Sequence, residues 1–187
     1  MLGVCCRGWS SWHDAIDRFT ASGVCGHAGA GAGQLPGVKS LQLKQYYAHP
    51  QNQFWPILQR LWPQAGWSTD GDYARRCACA LAQGLGIWDV YASCEREGSL
   101  DSAIREAQLN DFPGLLRQCP LLTGIAHNGG ESFRHARAVE QSLAHAGLAG
   151  RVQLHKLPST SPANASWPFE RKLSAWTAVM HEHGLLA

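Results

Sequence analysis

Three short segments, the apolar run Leu85-Gly86-Ile87-Trp88-Asp89-Val90, Leu121 to His127 and Val152 to Leu157, read as strands and alternate with segments whose apolar residues follow helical spacing. Runs of this length, bounded by Gly, Pro or Asn, suit buried strands better than helices. Strands that alternate with helices favour a parallel sheet covered on both faces, with function gathered in the loops at the carboxyl ends of the strands. The segments placed at that rim are Leu35 to Ser40, Tyr91 to Glu97, Asn128 to Gly130 and Pro158 to Asn164, all rich in Gly, Pro, Ser, Thr or Asn.

The helices between them follow from spacing and end signals. Gln51 to Leu61 brings Phe54, Ile57, Leu58 and Leu61 to one face and stops at Pro63. Asp72 to Gln83 is rich in Ala. Ser99 to Ala107 reads as a short helix capped by Ser99, and Asp111 to Gln118 as one capped by Asn110 with Pro113 in its first turn. Glu131 to Ala146 buries Phe133, Ala136, Val139 and Leu143 and is stopped by Gly147; a last helix from about Pro168 carries Phe169, Leu173, Trp176, Val179 and Met180.

Composition narrows the class. The 187 residues suit one domain, and 45% hydrophobic against 16% charged residues excludes a disordered chain. A formal charge of +2 excludes a histone-like, charge-driven nucleic-acid binder while permitting a small local basic surface. No window approaches the roughly 18 apolar residues of a membrane span, and no basic stretch precedes an apolar run at the start. A cytoplasmic location is therefore expected, with no membrane partner. The seven cysteines include no C-x-x-C, so neither a disulfide framework nor a zinc ribbon is indicated, and His181-Glu182-His183 reads as a solvated helix end. No metal site is expected.

Residues 1–32 differ from the rest. Gly26 to Gly33 is a Gly/Ala alternation with no hydrophobic period, which suits a loop. Orderly patterning begins at about residue 33, dividing the chain into an atypical segment 1–32 and a domain 33–187.

Two motifs are too particular for connectors. One is Gln34-Leu35-Pro36-Gly37-Val38-Lys39-Ser40-Leu41 followed by Gln45-Tyr46-Tyr47-Ala48-His49-Pro50-Gln51-Asn52-Gln53-Phe54-Trp55; the other is Leu157-Pro158-Ser159-Thr160-Ser161-Pro162-Ala163-Asn164. Together they resemble the uracil-DNA glycosylase superfamily, most closely its DNA-deoxyinosine (hypoxanthine-DNA) glycosylase branch. Ile87 to Val90, Ser93 to Asp101 and Asn110-Asp111-Phe112 are also similar to that branch. The resemblance covers about residues 33–180. It implies a three-layer α/β/α domain around a central parallel sheet of four strands. It also implies metal-free, cofactor-free hydrolysis of the N-glycosidic bond of a deaminated base, hypoxanthine or uracil, in base-excision repair. The implied partner is DNA carrying that base, and a monomer is expected.

The chemistry assigns candidates. A base inside a duplex must be rotated into a pocket and stacked on an aromatic face; Tyr46, Tyr47, Phe54 and Trp55 are candidate faces, Tyr46 and Tyr47 adjoining the proposed loop, and Pro36 and Gly37 are expected to bind the substrate with them. Glycosidic cleavage develops oxocarbenium-like charge on the sugar, and water must be oriented for attack. Asn52 matches the Asn that the resembled branch uses catalytically. Hypoxanthine offers O6 as acceptor and N1–H as donor, an edge that an amide at Asn128 or a carboxylate at Asp89 can meet. Ser159, Thr160, Ser161 and Pro162 lie in a stiff hydroxyl-bearing loop suited to phosphates and to wedging into the minor groove. Arg151, Lys156, Arg171 and Lys172 are nearby cations.

The resemblance fails upstream of Pro36-Gly37. An apolar strand belongs directly before that turn; the chain has Gly/Ala repeats there, and Gln34 stands where the branch has Ser or Thr. The reading is a misassigned start or shifted frame in residues 1–32 that replaces the first strand. The rival functions are a catalytically inactive DNA-binding module on the same fold and a small-molecule nucleosidase.

Overall fold

The computed structural model describes residues 2–6, 45–67, 72–96 and 104–186. Among them the elements run β1 (Leu2–Cys6), α1 (Phe54–Leu61), α2 (Tyr73–Ala82), β2 (Leu85–Trp88), β3 (Tyr91–Arg96), β4 (Ile104–Leu109), α3 (Phe112–Gln118), β5 (Leu122–Asn128), α4 (Gly130–Phe133), α5 (Ala136–His145), β6 (Gln153–Leu157) and α6 (Phe169–Glu182). The main sheet has the order β2-β1-β5-β6.

Alternation along β5 explains the layers. Ala126 packs into a cluster with Phe54, Ile57 and Leu58 of α1, Ala80 of α2 and Trp176, Val179 and Met180 of α6. Its neighbour Ile125 packs on the opposite face with Phe112, Leu115 and Leu116 of α3 and Val139 and Leu143 of α5. A strand buried on both sides has no polar face to show, hence the continuous apolar run. The α/β class and three layers are as expected.

The sheet is not wholly parallel. β5 and β6 pair in parallel from Gly124↔Gln153 to Asn128↔Leu157, but β1 pairs antiparallel with both β2 and β5. Strands β2, β5 and β6 therefore share one direction, and Leu2–Cys6 runs against them between β2 and β5. The amino-terminal segment thus supplies an inner strand at Leu2–Cys6.

Four further expectations are corrected. The segment expected as helix 99–107 is β4 over the part the structure describes, and Tyr91 to Arg96, within the segment expected as a rim loop, is β3. The two form an antiparallel hairpin with Tyr91 opposite Leu109 and Arg96 opposite Ile104. Ile104-Arg105-Glu106-Ala107 is made of adequate helix formers, but helix propensity is a weak prior that a paired neighbour overrides. Asp111, not Asn110, caps α3, its carboxylate accepting the Gly114 N–H at 2.8 Å; Asn110 instead donates Nδ2 to the Asp89 carbonyl at 3.3 Å. The helix expected over Glu131 to Ala146 is divided into α4 and α5. At the division the Ser132 carbonyl lies 2.9 Å from His127 Nδ1, a side-chain claim on a backbone group that hydrophobic spacing does not register.

His183 is likewise no solvated helix end. It is buried, with Nδ1 2.9 Å from Thr123 Oγ1 and Nε2 2.8 Å from His155 Nε2. Gly124 makes room for its ring, since any Cβ there would overlap it. Cys77, Cys79 and Cys119 are buried free thiols. Among the described residues no helix is long and apolar enough to cross a membrane.

Candidate active site

Parallel pairing brings the ends of β5 and β6 to the same rim, and the register continues one residue beyond β5, where Gly129 N–H donates to the Leu157 carbonyl at 3.0 Å. Gly129 has φ 109°, and a Cβ there would stand 3.0 Å from Ser159 Cβ. The residue is glycine because the backbone turns in a region closed to other side chains just where the late loop crosses it.

Asn128 locks that crossing. Its Oδ1 accepts the Thr160 backbone N–H at 2.9 Å, and its Nδ2 donates to Thr160 Oγ1 at 2.9 Å and to Tyr47 Oη at 3.0 Å. Thr160 in turn presents its carbonyl to the Gln53 N–H at 3.0 Å. Asn128 and Thr160 are buried. Four separate chain segments, the Tyr46-Tyr47 turn, the start of α1, the end of β5 and the late loop, are thereby tied at one point. Both Asn128 N–H groups are spent inside the protein, and Thr160 faces inward.

Tyr47 is the most unusual residue of the site. It holds φ 56°, the only positive φ of a non-glycine among the described residues, and its ring stacks on Phe54 with centroids 3.8 Å apart and planes 20° apart. A left-handed tyrosine is strained and persists only where its surroundings over-determine it. The Asn128 bond and the Phe54 stack do so here. Burial raises the Tyr47 phenol well above its ordinary range; the Asn128 hydrogen bond works against that shift and the Asp89 charge adds to it. The hydroxyl is therefore protonated. Phe54 is buried behind this ring and braced edge-on by Trp55 and Trp176, so it backs Tyr47 and leaves Tyr47 as the ring nearer the rim.

Tyr46 points elsewhere. Its Oη donates to Asp89 Oδ2 at 2.7 Å, its N–H to Tyr73 Oη at 3.2 Å, and its carbonyl accepts Trp55 Nε1–H at 3.2 Å. The tyrosine thus fixes the carboxylate at the end of β2 beside the Tyr47 phenol. Asn52 sits on the His49-Pro50 turn, its N–H donating to the His49 carbonyl at 2.8 Å and its Oδ1 accepting the Phe54 N–H at 2.9 Å. Its amide nitrogen has no hydrogen-bond partner among the described residues. The orphan N–H groups at a helix start explain the Oδ1 contact. They orient the side chain and leave one lone pair of Oδ1 and both Nδ2 hydrogens for a ligand.

The late loop is stiffened from within. Ser161 N–H donates to Ser159 Oγ at 3.2 Å, Asn164 N–H to the Ser161 carbonyl at 3.0 Å and Asn164 Nδ2 to the Ser159 carbonyl at 3.0 Å. Pro162 is exposed at its tip. Of the residues expected in the site, Tyr46, Tyr47, Phe54, Asp89, Asn128 and Thr160 are linked by contacts. Asn52 joins them through Phe54, and Ser159 and Ser161 flank Thr160. Pro36 and Gly37 lie outside the described residues. Sequence reasoning missed Gln53, whose Oε1 is buried without a partner among the described residues, and its signal was its place inside the same motif. It also missed Tyr73, which stands in the Ala-rich helix without any motif around it.

A sequence profile of the Uracil DNA glycosylase superfamily matches residues 32–179. The chain belongs to that superfamily. Every expected site residue falls inside the matched range, whereas Leu2–Cys6 lies outside it. The chain is 35% identical over 147 residues to the hypoxanthine DNA glycosylase of Methanosarcina acetivorans, a match covering 79% of this chain and 86% of that protein. It is 34% identical over 144 residues to the hypoxanthine DNA glycosylase of Methanosarcina barkeri, covering 77% and 84%. Its fold is similar to the solution NMR structure of a Methanosarcina acetivorans protein provisionally assigned as a uracil DNA glycosylase. That match has a TM-score of 0.63 and 31% identity over 80% of this chain and 86% of that one.

Proposed function

We propose that this superfamily member is a monofunctional DNA glycosylase that excises a deaminated base, hypoxanthine foremost, from DNA. The observation that carries the reading is the Asn128–Thr160–Tyr47 lock. It sets an aromatic platform, a polar helix start and a stiff Ser/Pro loop around one rim. The two relatives named as hypoxanthine DNA glycosylases support the choice of base.

In this reading the damaged nucleotide leaves the duplex and its base stacks on the face of Tyr47 not covered by Phe54. Flipping costs a few kcal/mol, least for a mispaired base, which is itself a source of selectivity. The Pro158–Asn164 loop enters the minor groove and holds the duplex open, Ser159 and Ser161 meeting its backbone. Asp89, fixed by Tyr46, accepts the N1–H of hypoxanthine; the same N–H and carbonyl edge occurs in uracil. Adenine presents a lone pair at N1 and is repelled by the carboxylate. Asn52 orients the attacking water through Oδ1 as positive charge develops on the sugar, and its Nδ2 hydrogens bind the sugar–phosphate. Asn128 acts by holding Tyr47 and Thr160 in place. The protein works as a monomer in the cytoplasm.

The deciding experiment compares duplexes carrying one deoxyinosine, one deoxyuridine or no lesion with free deoxyinosine. Alkali-labile abasic sites from the lesion duplexes alone are expected. Hydrolysis of the free nucleoside would instead indicate a nucleosidase, and DNA binding without any product an inactive binding module.

A further inference from the structure

Two cations flank the late loop, and each is braced on an aromatic ring. Lys156, two residues before Pro158, places Nζ 5.7 Å from the centroid of the Phe133 ring. Arg171, in the first turn of α6, lays its guanidinium 3.9 Å over the Trp167 ring. Both residues are exposed, and among the described residues neither has a carboxylate within ion-pair distance. Two other surface arginines differ. Arg134 is neutralised by Glu131 at 2.9 Å, and Arg151, before the start of β6, donates to the Pro120 carbonyl at 3.0 Å.

The two sit on opposite sides of the sheet. Leu157 packs into the layer of α1 and α6, so its neighbour Lys156 points to the other face, toward Phe133 of α4, while Arg171 lies on α6. A long cationic side chain ordinarily loses much rotamer freedom when it grips a phosphate. Stacking on a ring removes part of that cost beforehand and leaves the N–H edge of a guanidinium turned outward. Ring-braced, acid-free cations on both sides of a rigid loop suit a ligand with regularly spaced negative charges.

We propose that Lys156 and Arg171 are a pair of DNA-backbone contacts that straddle the late loop, each meeting a phosphate on one side of the flipped nucleotide. This rests on the glycosylase reading of the same rim. Each contact displaces about one condensed counterion, so each contributes about one unit to the slope of log K against log salt.

The test is fluorescence anisotropy of a labelled deoxyinosine duplex from 50 to 300 mM salt, with single-turnover excision at saturating protein in parallel. Lys156→Ala and Arg171→Ala should each weaken binding about three- to tenfold at 150 mM salt and reduce the slope by about 1, with the double variant reducing it by about 2. The excision rate at saturation should stay within twofold. Trp167→Leu, which keeps the charge and removes the brace, should weaken binding about two- to fivefold with the slope unchanged. Arg151→Ala should alter neither quantity. Unchanged slopes in both cation variants, or an equal change in Arg151→Ala, would overturn the pair while leaving the glycosylase reading intact if excision persists. Wild-type protein that neither binds nor cuts the duplex would overturn both.

Discussion

Thr160 and Asn128 bond each other twice. The Thr160 N–H donates to Asn128 Oδ1 and Asn128 Nδ2 donates to Thr160 Oγ1, each at 2.9 Å, with both residues buried. Replacing Asn128 by Ala leaves a buried N–H and two hydroxyls without these partners, a loss of about 2–4 kcal/mol. The melting temperature should fall by about 5–15 °C, and excision should fall at least tenfold as Tyr47 and the late loop lose their common anchor. A melting temperature within 1 °C of the wild type would contradict the lock.

Tyr47 is argued to be the stacking platform, and its hydroxyl a tether. Tyr47→Phe keeps the ring on Phe54 and should change kcat/KM by no more than about threefold. Tyr47→Ala removes the platform, and base stacking on an aromatic ring is worth about 1–3 kcal/mol, so kcat/KM should fall about five- to 150-fold. Tyr47→Gly should melt higher than Tyr47→Ala because only glycine adopts φ 56° without strain. Equal excision by the Phe and Ala variants would remove Tyr47 from the site.

His127 makes stability depend on acid. It is fully buried, and burial, joined by unfavourable nearby positive charges and opposed by its bond to the Ser132 backbone, lowers its pKa from 6.5 to about 4. Above pH 6.5 both folded and unfolded forms are neutral there and its titration makes no difference. Between pH 6.5 and 4 the unfolded chain takes up a proton that the folded one refuses, so stability falls with pH and levels off below 4, by about 3 kcal/mol in all. His135, also lowered by burial, acts in the same direction. Urea titrations from pH 7.5 to 4 should show this decline, and His127→Gln should flatten it. A pH-independent midpoint across that window would contradict the buried neutral imidazole.

What the sequence made legible follows from which forces it displays. β2 and β5 are largely buried and read directly as short strands, β6 is partly exposed and is bounded by Pro158, and Pro63 and Gly147 mark helix ends. The hairpin of β3 and β4 was hidden because Ile104-Arg105-Glu106-Ala107 has no propensity against helix; its strand state depends on a partner strand. The direction of β1 depends on pairing too, and hydropathy carries no sign for it. In the site, the motif residues were visible as types, but their bonding was not. Asn128, read as a group facing the base, spends both N–H donors on Tyr47 and Thr160, and Phe54, read as a stacking face, lies behind Tyr47. His183 shows the same limit, since a His-Glu-His end looks solvated until Thr123 and His155 are brought beside it by the fold.

The central claim is that Asn52 prepares water for attack on the glycosidic bond of a flipped hypoxanthine. The most direct measurement is single-turnover excision from a deoxyinosine duplex by wild-type protein and Asn52→Ala at saturating protein, where binding differences drop out. Asn52 acts by orienting water rather than by taking its proton, and misplacing a reacting group costs on the order of 100-fold, so the variant should bind the duplex and excise about 100-fold more slowly. Excision by Asn52→Ala within threefold of the wild-type rate would contradict the account.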